Sequence, residues 1–231
     1  MGSCDLGGSA KPALLRPAAG ERGAKMNKKK LFLVCIAVFP FMVCTGIVYS
    51  IMSLYMAEVG LSKSQIGFLY TSGAVAGAVG SPFLGGLADR FGRKKILLLS
   101  MGGFAAVFTG YALARSYIPL FVIQVGEGIS WAAMAAATTA LVADLSTQEH
   151  RGKAMGIYNM TWNMGWIIGP SMGGILSDRM GFTFTFKLCT CLTVFGLVLA
   201  LFFVPGKGRG TGGSGKTAPS DLAEFDEMRG K

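Results

Sequence analysis

The stretch Gly85-Gly86-Leu87-Ala88-Asp89-Arg90-Phe91-Gly92-Arg93-Lys94-Lys95 decides how the chain is read. It sets one acid and four cations between two apolar runs, each long enough to cross a bilayer. Composition points the same way: 52% of residues are apolar, only 15% are charged, glycine is abundant and mean hydropathy is positive, which marks an integral membrane protein and not a soluble domain of this length. The net charge of +10 would fit nucleic acid if the cations covered one soluble face. Instead they fall in the short segments between apolar runs, where they act as topology signals beside an anionic membrane surface, so nucleic acid is not an expected partner.

Six apolar segments, 31–57, 65–87, 96–114, 118–143, 154–176 and 183–204, each come near the length of about 20 residues that a helix needs to span the hydrocarbon core. The expected fold is therefore an all-α membrane protein whose transmembrane domain occupies 26–205. Residues 1–25, rich in Gly, Ala and Pro and without apolar periodicity, read as a disordered extension, with Met26 as a natural translation start. Residues 206–231 read as a flexible tail or linker. Of the 22 cations, 18 lie on the side of the termini and of the opening stretch; only Lys63, Arg115, Arg179 and Lys187 lie on the other. Both termini are thus expected in the cytoplasm of a multi-pass protein of the plasma (inner) membrane.

The chain also echoes itself. Ser81-Pro82-Phe83-Leu84-Gly85-Gly86-Leu87-Ala88-Asp89-Arg90-Phe91-Gly92 returns as Gly169-Pro170-Ser171-Met172-Gly173-Gly174-Ile175-Leu176-Ser177-Asp178-Arg179-Met180-Gly181, with one extra residue before the acid. Three spans separate the copies, which puts them on opposite faces, as in two inverted three-helix repeats.

These residues carry a resemblance. The run from Gly85 through Asp89, Arg90, Gly92, Arg93 and Lys94 resembles the signature loop between helices 2 and 3 of the major facilitator superfamily of secondary transporters. Gly165, Gly169, Pro170, Gly173 and Gly174 resemble the helix-5 motif of its proton-linked drug and metabolite exporters, and Glu149 to Gly156 resembles the loop before it. The resemblance covers about residues 27–205 and implies the N-terminal six-helix half of a transporter that works by alternating access. It implies a cytoplasmic gating role for Gly85, Asp89, Arg90, Gly92, Arg93 and Lys94, and a packing or hinge role for the helix-5 glycines and Pro170, with export as the favoured direction. Superfamily members have two such halves with the substrate between them. Three accounts of the length stay open: a truncated or interrupted gene product, a half completed by a second polypeptide, or a protein that works as a homodimer.

The residues themselves nominate a polar pathway. Glu127 is the one ionisable side chain deep inside a span, and hydrocarbon disfavours its charged form, so it is expected to exchange a proton as water reaches it, or else to hydrogen-bond a neighbouring helix as a structural group. Gln124 and Trp131 share its helix face at spacings of three and four. Asn159, Asn163 and Trp166 form a stripe on the fifth span, and Tyr49 is placed to line the same space from the first. The expected partners are the lipid bilayer and a small-molecule substrate, with the proton as coupling ion.

Other chemistries are excluded or weak. The five cysteines show no metal spacing, no catalytic constellation is present, and the chain is not expected to be an enzyme or to hold a cofactor. Gly210-Thr211-Gly212-Gly213-Ser214-Gly215-Lys216-Thr217 matches a phosphate-binding loop, but it follows a helix rather than a strand, so no nucleotide is expected. The rival class is a non-transporting six-helix membrane protein, a remnant or an assembly partner of a full-length transporter.

Overall fold

The computed structural model describes residues 28–204, so the N-terminal extension, the tail and its glycine-rich phosphate-loop match lie outside the described residues. Among those residues every regular element is helical and there is no strand. The helices are α1 (Lys28–Glu58), α2 (Lys63–Phe91), α3 (Arg93–Leu113), α4 (Tyr117–Asp144) and, after a 3₁₀ turn at Gln148–His150, α5 (Arg151–Phe203).

The opening charged stretch differs from the loop its composition predicts. Helix α2 runs through Asp89 and Arg90, α3 begins at Arg93, and Gly92 alone makes the turn, with φ 98° and ψ 132°. Nothing in Leu87 to Phe91 breaks a helix, and charged residues at a span end meet water whether or not the helix continues. Only glycine adopts that backbone cheaply. The second copy behaves alike. Gly181, with φ 79° and ψ 163°, breaks α5 into two arms. At 53 residues, α5 would be about 80 Å long if straight, more than twice the hydrocarbon thickness.

Four helices, α1, α3, α4 and the segment containing α5, are long and apolar enough to cross a membrane, against the six spans expected. The difference has two sources. The two arms of α5, which meet at the Gly181 kink with no intervening loop, count as one helix, and α2 is diluted by glycine and serine, which lower its apolarity without shortening it.

Glycine sets the packing. Helix α1 packs on α5, and α2 packs on α4, while α3 lies against α4 and the second arm of α5. At the α1/α5 crossing, a methyl group on Gly165 would sit 2.7 Å from the Met42 carbonyl oxygen, and one on Gly169 would sit 2.6 Å from the Gly46 carbonyl carbon. At the α2/α4 crossing, a methyl on Gly77 would meet the Gly128 carbonyl oxygen at 3.1 Å, and one on Gly128 would overlap the Gly73 carbonyl. Close approach of backbones replaces the missing side-chain burial as the source of dispersion contact between membrane helices. The core lies around α1, most of which is buried; α2 buries only Leu69, Gly73 and Ala88.

Candidate functional site

Two hollows meet at Tyr49, Trp131 and Ala135. The first, about 540 Å³, lies between α1, α2 and α4 and is walled by Tyr49, Tyr70, Gly73, Gln124, Glu127 and Trp131. The second, about 500 Å³, continues along α4 and α5 past Thr138, Tyr158, Asn159, Trp162 and Trp166. Their walls are aromatic. Trp131 stands 5.0 Å from Trp162 and 5.3 Å from Phe104 between ring centroids, and Tyr49 stands 5.5 Å from Trp166. The buried Trp131 Nε1 reaches toward Tyr49 but makes no hydrogen bond of normal geometry.

Glu127 is 3% exposed and Gln124 4%, both on the first hollow's wall. Between them sits the hydroxyl of Tyr111 from α3, 2.5 Å from Glu127 Oε2 and 2.9 Å from Gln124 Oε1. The Tyr111 ring packs on Phe186 at 5.8 Å between centroids, and the Tyr111 main-chain carbonyl accepts a 2.9 Å bond from the Tyr55 hydroxyl. Tyr55 also donates to the Ala114 carbonyl and accepts from Arg115 Nη1 at 3.1 Å, while Arg115 Nη2 donates to Thr183 Oγ1 at 2.9 Å. One end of α1, α3 and the second arm of α5 is thereby tied together.

The stripe on α5 divides. Asn159 and Trp166 line the second hollow, whereas Asn163 is exposed, is not among its walls, and donates from Nδ2 to the Asn159 carbonyl at 2.9 Å. Of the helix-5 glycines, Gly165, Gly169 and Gly173 face α1, while Gly174 faces open space and Pro170 is exposed. At the far end of the molecule Arg93 is the hub of the charged turn. It pairs with Asp144 at the end of α4, lies 3.6 Å from Asp89 one turn earlier, and donates from Nη1 to the Ala140 carbonyl at 2.6 Å. Lys94 Nζ donates to the Leu201 carbonyl at 2.7 Å. Arg90 lies over the Phe91 ring at 5.8 Å, and Gly85 and Gly92 have nothing within reach of an added methyl.

A family-wide sequence profile described as the Major Facilitator Superfamily matches residues 34–231. The chain belongs to that superfamily. It is 29% identical over 179 residues to multidrug resistance protein 2 of Bacillus subtilis, covering 77% of this chain and 44% of that one. It is 29% identical over 177 residues to the quinolone resistance protein NorA of Staphylococcus aureus, covering 75% and 45%. The crystal structure of the human organic anion transporter MFSD10 (TETRAN) superposes with a TM-score of 0.62 at 19% identity, over 83% of this chain and 49% of that one, which is a likeness of fold. The chain spans about half the length of the curated relatives it matches. Relatives of this superfamily are integral membrane proteins, in keeping with the apolar helices.

Tyr111 and Tyr70 were not foreseen as members of the site. No spacing signals Tyr111: it stands near the end of α3, whereas Gln124 and Glu127 lie well inside α4, so the hairpin does not set them opposite one another. Tyr70 lines the first hollow and shares a 3.0 Å bond with Ser53, and nothing in its spacing separates it from the rest of α2.

Proposed function

We propose that the chain is a six-helix half of a secondary transporter that moves a small amphipathic molecule outward by alternating access, with the proton as coupling ion and no cofactor. The six helices are α1 to α4 and the two arms of α5, arranged as two inverted three-helix repeats. Two features support that arrangement. Gly92 and Gly181 occupy equivalent places in the echoed sequence and share a backbone that only glycine favours. An exchange of α1 with α4 and of α2 with α5 also turns the α1/α5 crossing into the α4/α2 crossing, each glycine on glycine. The termini and the Gly92 turn lie in the cytoplasm, in a plasma or inner membrane, as the charge count argues.

The observation that carries the reading is Glu127, a carboxyl almost without solvent contact, on the wall of an aromatic hollow and hydrogen-bonded by a phenol. Such a group holds its proton when shielded and yields it when the cavity opens to water. Membership of a superfamily of transporters is what favours transport over catalysis in this reading. The hollows are walled on α1, α2, α4 and α5, and the flanking helices present apolar side chains such as Phe83 and Ile167, 74% and 73% exposed. A second six-helix half, from another polypeptide or a second copy of this chain, covers that side in the reading proposed. The lean to export rests on the resemblance of the Gly165 to Gly174 motif to that of the exporters, and a substrate of the quinolone kind rests on the name of one relative.

The test is flux in proteoliposomes under an imposed pH gradient, with a fluorescent quinolone as probe. Protein that contains both halves, or two copies of this chain, should show proton-driven flux. Glu127→Gln should abolish the coupling and leave the folded yield unchanged. Flux that stays proton-driven in the variant sinks the assignment of Glu127, and absence of flux in every assembly favours the non-transporting partner.

A further inference from the structure

The Tyr111 hydroxyl faces two acceptors with one proton. When Glu127 is protonated, its O–H donates to the Tyr111 oxygen and Tyr111 donates to Gln124 Oε1, so the phenol and the two oxygens that face it are all paired. When Glu127 gives its proton to water in the hollow, the phenol keeps its own proton but turns it to the carboxylate, the stronger acceptor. Gln124 Oε1 then loses its donor in a buried site, where an unpaired polar atom is costly. Its amide is the group that moves, because the Tyr111 ring packs on Phe186 and the Tyr111 main chain is anchored by the Tyr55 hydroxyl.

Gln124 is also in contact with α2. A methyl on Gly73 would lie 3.0 Å from the Gln124 main-chain carbonyl oxygen and 3.1 Å from both its side-chain Cγ and Nε2, so the Gln124 side chain occupies the space that the missing Gly73 side chain leaves. Gly73 is one of only three buried residues on α2, and the same helix ends in the Asp89 turn. We propose that Tyr111 is the positioning residue that converts the protonation state of Glu127 into a position of the Gln124 amide, and through it into the seating of α2 at Gly73. This rests on Glu127 as the proton site. The other titratable side chains that face Glu127 are Tyr49 from α1 and Tyr70 from α2; α5 contributes none to that hollow.

Hydrogen–deuterium exchange of the 66–76 segment, with the protein in lipid nanodiscs at acid and at alkaline pH, tests the relay without any transported substrate. After correction for the intrinsic pH dependence of amide exchange, wild type should show a pH-dependent difference in protection there. Glu127→Gln should remove it, and Tyr111→Phe should remove it although Glu127 is still present. A residue with only a packing role would alter melting temperature and leave the pH response intact. If Tyr111→Phe does not fold, Gln124→Leu, which keeps the Tyr111 to Glu127 contact and removes the reader, must lose the same response. A response that survives Tyr111→Phe or Gln124→Leu overturns the proposal, as does a wild type with no response. The outcome is separable from the flux test. A relay seen in exchange but no flux in any assembly would sink transport and keep the relay.

Discussion

The α1/α5 and α2/α4 crossings use one device in two surroundings. Both bring glycine backbones into contact, but the first is enclosed by the core and contacts Met42, Gly46, Ile47 and Ser50 in sequence along α1. The second has the polar pair Gln124 and Glu127 and an open hollow on one side, and its α2 partner is otherwise hardly buried. The difference teaches that close packing alone does not make a rigid seam. A crossing is fixed when the rest of both helices is also committed, and adjustable when one helix is held at a few points. On this view α1 and α5 form a fixed frame and α2 is the element free to shift.

The comparison breaks most readily by overfilling each seam. Gly165→Leu drives four carbons into a space where even a methyl meets the Met42 carbonyl at 2.7 Å. The cost should exceed the usual range of about 1–3 kcal/mol for overpacking, and folded monodisperse protein should be lost in size-exclusion chromatography. Gly77→Leu should be tolerated, because a methyl there meets the Gly128 carbonyl at 3.1 Å and α2 can tilt away. Equal loss in both variants would show that the two seams are equally rigid.

A smaller effect is expected at Arg93, which clamps the α2 and α3 ends to α4. Among the described residues, both ion pairs involve this side chain, and the second copy of the motif, with Asp178 and Arg179, has no ion pair. Asp144 and Asp89 are partly or largely exposed, so water screens the pairs and Arg93→Ala should cost about 1 kcal/mol or less in thermal stability. Its larger mark should be on geometry. Spin-label distances between the Gly92 end of α2 and the Asp144 end of α4 should broaden, while distances across α1 and α5 stay narrow. Broadening in both pairs would mean that the charged turn braces the whole bundle.

How far these features were legible depends on the kind of contact. Helicity and the echo of Gly92 in Gly181 could be read because composition and residue order carry them. Glu127 stood out because a carboxyl in an apolar run has few neutral explanations. Tyr111 did not, since its partners are 13 and 16 residues away on another helix and no spacing within one helix points to them. The helical course of Leu87 to Phe91 was hidden for the opposite reason: charge signals the membrane surface, and a charged helix end gives the same signal as a loop. The division of the α5 stripe between Asn159 and Asn163 was equally hidden, because four residues advance a helix by slightly more than one turn and the drift can carry a side chain off the wall of a hollow.

Gly173 and Gly174 give the finest form of the comparison, because they are neighbours in sequence with opposite surroundings. A methyl on Gly173 would meet the Ser50 hydroxyl at 2.5 Å and the Ile47 carbonyl oxygen at 2.9 Å, and backbone cannot yield as a flexible side chain can. A methyl on Gly174 would meet nothing within 4 Å. One residue of helix turns the side chain by about 100°, enough to move it from the seam to the open face. Gly173→Ala should therefore destabilise by about 1–3 kcal/mol. Gly174→Ala should be neutral or stabilise by up to about 1 kcal/mol, since alanine loses less backbone freedom than glycine. Melting curves of the two variants in one detergent decide the point. A destabilised Gly174→Ala would mean that this face of α5 is occupied in the membrane, and the natural occupant is the second half proposed to close the cavity.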